Sequence, residues 1–122
     1  MANILVLEPW YRGSHRKWVE GWRSASRHQI KVAAGPDAGW RRSLVLGPSC
    51  FAEAITQSAT EIDALVASSP IDLATVLGLL GPTISRPPTL LYMHESQIGY
   101  PPGPKGGQAQ GAIINDWTAV SA

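Results

Sequence analysis

Two short apolar runs separated by one helical stretch restrict this chain more than any other feature it carries. NILVLE at 3–8 is a continuous apolar run of buried-strand length, bounded by Pro9. After the turn WYRG, the stretch SHRKWVEGWRSASR opens on Ser14, the expected N-cap. It sets Trp18, Val19, Trp22 and Ala25 on one helical face, with basic residues outside. QIKVAAG at 29–35 is a second strand, closed by Gly35 and Pro36. Strand, tight turn, helix, strand is a βαβ unit, which implies parallel pairing.

The remaining segments repeat the alternation. Phe51, Ile55 and Ala59 are spaced for a helix over 49–59, and Gly47-Pro48 is expected to break anything longer. DALVAS at 63–68 is a third strand. Ser69, Pro70 and Asp72 supply an N-cap, a first-position proline and an acid for a helix over 70–80, stopped by Gly81-Pro82. TLLYMH at 89–94 is a fourth strand. PPGPKGGQAQG at 101–111 has loop composition, a short helix is expected over 108–116, and TAVSA at 118–122 reads as a fifth strand just starting. The expected fold is therefore α/β, a Rossmann-like doubly wound parallel sheet in one domain over 1–122. A fifth strand without its following helix would leave a sheet face uncovered, so the chain reads as an incomplete lobe able to self-associate through that edge.

Composition agrees with an ordinary globular domain. At 122 residues, 44% hydrophobic and 16% charged, the chain can bury one core and is not a disordered segment. A single cysteine, Cys50, excludes an internal disulfide and fits a reducing compartment. No stretch approaches a membrane span or a signal peptide, and a cytoplasmic location without membrane attachment is expected. Charge is uneven: residues 1–42 carry a balance of +5 and residues 43–122 a balance of −4. A positive N-terminal third suits phosphates on a nucleotide or an RNA backbone, though exposed helix faces carry such charge in any case.

In an open parallel sheet, ligands bind beyond the carboxyl ends of the strands. Two polar clusters fall there. Strand one runs into Tyr11, Arg12, Gly13, Ser14 and His15, where glycine permits close backbone approach and the first helical amides can receive an anion. The plainer reading is that Gly13 makes a turn and Ser14 only caps a helix. Strand four runs into His94, Glu95, Ser96 and Gln97, followed by Tyr100-Pro101; an imidazole, a carboxylate and an amide in that position face a cleft. Trp40-Arg41-Arg42 can hold a phosphate or stack on a base, although an exposed arginine pair beside a packed tryptophan is the commoner meaning. His28 reads as a capping or solvent-facing residue, and Cys50 beside Phe51 as small core filler. His15, His28, Cys50 and His94 have no metal-ligand spacing, so no metal site is expected. Dinucleotide, P-loop and serine-elbow motifs are all missing.

The segments ILVLEPWYRGSH at 4–15, GWRRS at 39–43, DALVASSPIDLATVLGLL at 63–80 and LYMHESQIGYP at 91–101 carry a resemblance. The chain resembles the N-terminal region of the tRNA-queuosine α-mannosyltransferases, within the retaining GT-B glycosyltransferases. Ser96 stands where that family tends to have Asn, the loop at 102–107 is less charged, and no segment corresponds to the C-terminal lobe that holds most of the donor. The resemblance implies the N-terminal lobe of an enzyme moving mannose from GDP-mannose to queuosine in tRNA, with no cofactor and no required divalent metal. It implies catalytic roles for His94 and Glu95, and substrate contacts for Gly13, Ser14, His15, Arg41, Gln97 and Tyr100. Without the second lobe, the 122 residues are expected to be inactive alone. The reading from another class is a non-catalytic Rossmann-like remnant that binds a nucleotide or a partner. A receiver domain lacks support, because no acidic pair follows strand one.

Overall fold

The computed structural model describes residues 1–94 and 118–122. Four strands, β1 (Asn3–Glu8), β2 (Gln29–Ala34), β3 (Ala64–Ser68) and β4 (Thr89–Tyr92), alternate with α1 (Gly13–Ala25), α2 (Trp40–Ser58) and α3 (Leu73–Gly78). The strands form one sheet in the order β2-β1-β3-β4. Every pairing is parallel.

Strand alternation sorts the core into two layers. Leu5, Leu7, Leu65 and Ala67 point to the face covered by α2 and α3, where Phe51, Ile55, Val76 and Leu77 are buried with them. Val6, Ile30 and Val66 point to the opposite face, against Val19 of α1 with Trp18 and Trp22 beside it. Helices on both faces of a parallel sheet make the α/β, doubly wound, Rossmann-like arrangement expected from the order of the elements. On the α1 side, β4 is thinly covered, and Leu90 is 59% exposed.

Several local expectations are corrected. α2 runs straight through Gly47-Pro48. Proline removes one helical hydrogen bond. The buried stripe Ser43, Gly47, Phe51, Ile55 recurs every fourth residue and outweighs that loss. Glycine at 47 also fits, since a Cβ there would meet the Phe51 ring at 3.2 Å. The same stripe turns Cys50 outward, so it is an exposed free thiol and not core filler. α3 starts at Leu73 and not at Pro70; its cap is Asp72, which accepts from the Thr75 amide at 3.1 Å. Ile71 is 2% exposed, and its insertion into the core keeps the segment before Asp72 out of the helix. Ala25 is exposed, leaving the apolar face of α1 to Trp18, Val19 and Trp22. Residues 118–121 are helical, so TAVSA is not a strand. Ala119 lies 5% exposed in the core, where a helical turn can place it. The helix expected over 108–116 lies outside the described residues.

The end of β2 is tied closely to the end of β1. The Gly35 amide donates to the Glu8 carbonyl at 2.8 Å, and a Cβ on Gly35 would meet the Pro9 carbonyl oxygen at 2.4 Å. Backbone crowds that position, and a side chain cannot rotate away from it. Gly35→Ala is expected to lower stability by about 2–3 kcal/mol through this overlap. Equilibrium urea denaturation of the variant measures the loss.

Candidate functional site

The strand order reverses between β1 and β3: β2 lies on one side of β1, while β3 and β4 extend the sheet on the other. That reversal opens a crevice at the carboxyl ends of these two strands, where doubly wound sheets bind ligands. Period-two alternation puts Ile4, Val6 and Glu8 of β1 on the α1 face. The run that is apolar through Leu7 thus ends in a carboxylate pointing under the first turn of α1. Glu8 is fully buried. Among the described residues no lysine or arginine pairs with it, and its ion-pair partners are two histidines.

His15 comes from the first turn of α1, three residues before Trp18 and so on the same side of the helix. Its Nδ1 lies 3.0 Å from Glu8 Oε1. His94 follows β4, and its Nε2 lies 3.7 Å from Glu8 Oε2. The two imidazole centroids are 3.9 Å apart. Glu8 forms the closed floor of this cluster, whereas the His15 and His94 side chains keep 15% and 14% exposure at its rim. The amide of Trp10 donates to Glu8 Oε1 at 3.0 Å, and the Ser69 hydroxyl after β3 accepts from the His94 amide at 3.1 Å. Both contacts orient the cluster from the loops at the crevice. Glu8 Oε2 and Ser68 Oγ are buried and, among the described residues, make no hydrogen bond.

An aromatic wall flanks the histidines. Trp18 stacks on Tyr92 at 4.2 Å and on Trp22 at 5.9 Å. His94 meets Trp18 and Tyr92 edge-on, each at 4.9 Å. Such a wall can pack against the apolar face of a sugar ring or a base. Beside it, the loops after β1 and β2 enclose an open depression of about 190 Å³ lined by Pro9, Trp10, Tyr11, Arg12, Gly35 and Asp37, among others. Arg12 and Asp37 form an ion pair across its mouth. The Tyr11 hydroxyl donates to Glu20, and that hydrogen bond holds the phenol pKa above its ordinary value.

The two polar clusters expected from sequence therefore meet, through His15 and His94. Gly13 has φ +52° and open space around its Cβ position, so glycine serves the left-handed turn into α1 and relieves no crowding. Ser14 is exposed and does not cap; the helix begins one residue earlier, with no side-chain cap. Arg41 is not brought to the cluster: it is exposed at the start of α2, with its guanidinium over the Trp40 ring at 5.4 Å. His28 ties down the N-terminus, its Nδ1 accepting from the Ala2 amide at 3.1 Å. Glu95, Gln97 and Tyr100 lie outside the described residues. Sequence reading missed Glu8, Ser69 and the Trp18–Tyr92 wall. The period-two alternation of β1 was the available signal for Glu8.

Comparison with known proteins converges on one family. The family model described as tRNA-queuosine alpha-mannosyltransferase N-terminal matches residues 3–122. A tRNA-queuosine alpha-mannosyltransferase of Drosophila melanogaster is 29% identical over 100 residues, which is 81% of this chain and 26% of that protein. The chain thus spans about a quarter of the length of that relative. No solved structure matches. Among the described residues, no helix is long and apolar enough to cross a membrane.

Proposed function

The chain belongs to the tRNA-queuosine alpha-mannosyltransferase N-terminal family, and from that premise we propose that it serves as the N-terminal lobe of a retaining GT-B glycosyltransferase. The donor is GDP-mannose, the acceptor queuosine in tRNA, and the enzyme works in the cytoplasm. The observation that carries this reading is the convergence of Glu8, His15 and His94 at the switch point of the sheet.

In this mechanism His94 stands beside the transferred sugar. Its imidazole hydrogen-bonds a sugar hydroxyl and stabilises charge as the bond to the departing phosphate loosens. Glu8 orients the two imidazoles from below, and Ser69 fixes the backbone of His94. Trp18 and Tyr92 offer the stacking surface for the ring that enters. The basic N-terminal third, with Lys17 and Arg27 exposed, supports an RNA acceptor by attracting phosphates.

The test supplies the enzyme carrying this lobe with labelled GDP-mannose and tRNA either containing or lacking queuosine. Label entering only the queuosine-containing tRNA is expected. Label in neither tRNA overturns the reading. Binding without transfer points to the alternative, a non-catalytic Rossmann-like module.

A further inference from the structure

We propose that Glu8, His15 and His94 form a binding site for one divalent transition-metal ion. Each residue offers one ligand atom, and the three atoms lie within 4.8 Å of one another. Each carboxylate oxygen has its own imidazole neighbour: Glu8 Oε1 lies 3.0 Å from His15 Nδ1, and Glu8 Oε2 lies 3.7 Å from His94 Nε2. Ligand atoms around a tetrahedral zinc ion, at bond lengths of about 2.1 Å, stand roughly 3.4 Å apart. Both carboxylate–imidazole approaches are close to that spacing, one through each oxygen of Glu8. The third separation, between the two imidazole nitrogens, is no more than 4.8 Å.

The chemistry of the donor set favours a cation. Burying a carboxylate is costly unless opposite charge or hydrogen bonds compensate it. Glu8 is fully buried; Oε1 takes the Trp10 amide and faces His15, while among the described residues Oε2 makes no hydrogen bond and faces His94. A metal ion between carboxylate and imidazoles would supply the compensation that Oε2 does not get from a hydrogen bond among the described residues. Two nitrogens and one carboxylate suit zinc, cobalt or nickel and not calcium or magnesium, which take oxygen ligands. The loop contacts already noted would act as the outer shell: the Trp10 amide holds the carboxylate, and Ser69 holds the backbone of His94. Three protein ligands leave a further position open on the rim side, where both histidines keep some exposure. That position would accept an oxygen of a bound ligand.

Sequence spacing could not reveal this site. Its ligands come from the end of β1, the first turn of α1 and the residue two beyond β4, and only the sheet order brings them together. The site uses the residues of the transfer site proposed above, but metal binding is read without any sugar transfer.

The experiment titrates Co2+ and Zn2+ into the whole chain after chelator treatment and dialysis, by calorimetry and by the visible bands of bound Co2+. One equivalent of Co2+ is expected to bind and to be displaced by Zn2+, while Ca2+ and Mg2+ give no signal. His15→Ala and His94→Ala should each weaken binding at least about tenfold. His28→Ala and Cys50→Ala should leave it unchanged, because those side chains lie elsewhere. His15→Gln and His94→Gln, checked by circular dichroism, serve if an alanine variant fails to fold. The absence of saturable binding overturns the proposal, as does binding that survives removal of both histidines. Since the readout involves no sugar transfer, an enzyme active on tRNA that binds no metal would overturn this site alone.

Discussion

If the proposed function holds, replacing His94 by alanine in the enzyme carrying this lobe lowers mannosyl transfer by about 100-fold or more while shifting the melting temperature by only a few degrees. His94 lies at the rim of its cluster with 14% side-chain exposure, and it contributes to neither apolar core layer. Its removal leaves the sheet and helices packed as before. What disappears is the imidazole between Glu8, His15 and the Trp18–Tyr92 wall. The loss should appear in kcat and kcat/KM together, the pattern of a contact made in the transition state. Wild-type kinetics in the variant would remove His94 from the mechanism.

Glu8→Gln is the second large effect, and it separates function from stability. Glutamine keeps the shape of the side chain, and its carbonyl can still accept from the Trp10 amide. It removes the negative charge that both imidazoles face. Transfer should fall by about 100-fold, since both histidines lose the group that orients them. Stability should not fall. Among the described residues one oxygen of the buried side chain makes no hydrogen bond, and glutamine keeps the contact that the other makes with the Trp10 amide, so little that holds the fold is lost. Glu8→Gln is expected to melt at or above the wild-type temperature in differential scanning calorimetry. A variant that is markedly destabilised would show that Glu8 holds the sheet together, and the functional assignment would lose its basis. Sites that sacrifice stability for activity behave in the first way.

Much of the fold was legible because its signals are local and repeat. NILVLE, QIKVAAG, ALVAS and TLLY are strand-length runs rich in apolar residues, and the stretches between them have helical periodicity, so the alternation alone specified a parallel sheet. The errors arose where packing overrode a local rule. Pro48 stays inside α2 because the stripe from Ser43 to Ile55 is buried as a unit. Asp72 takes the cap expected of Ser69 because Ile71 must first reach the core. Residues 118–121 carry a strand-like composition yet form a helical turn.

The site was half legible. His15 and His94 stood out because each follows a strand's carboxyl end in polar company. Glu8 did not, because a lone acid at the end of an apolar run looks like the boundary of a strand. Its meaning depends on which face it shares with Val6, and on a histidine arriving from β4. Both are consequences of the strand order, a property of the whole chain. Arg41 lies apart from this cluster: the start of α2 leaves it exposed, with its guanidinium over the Trp40 ring.

The account rests on Glu8, His15 and His94 acting as one unit at the crevice between β1 and β3. A double-mutant cycle on His15 and His94, read in kcat/KM for transfer to queuosine-containing tRNA, tests this most directly. If the two imidazoles work together, His15→Ala combined with His94→Ala will be no worse than the poorer single variant to within about threefold. Losses that multiply across the two variants would mean that the histidines act separately, and the shared site would not stand.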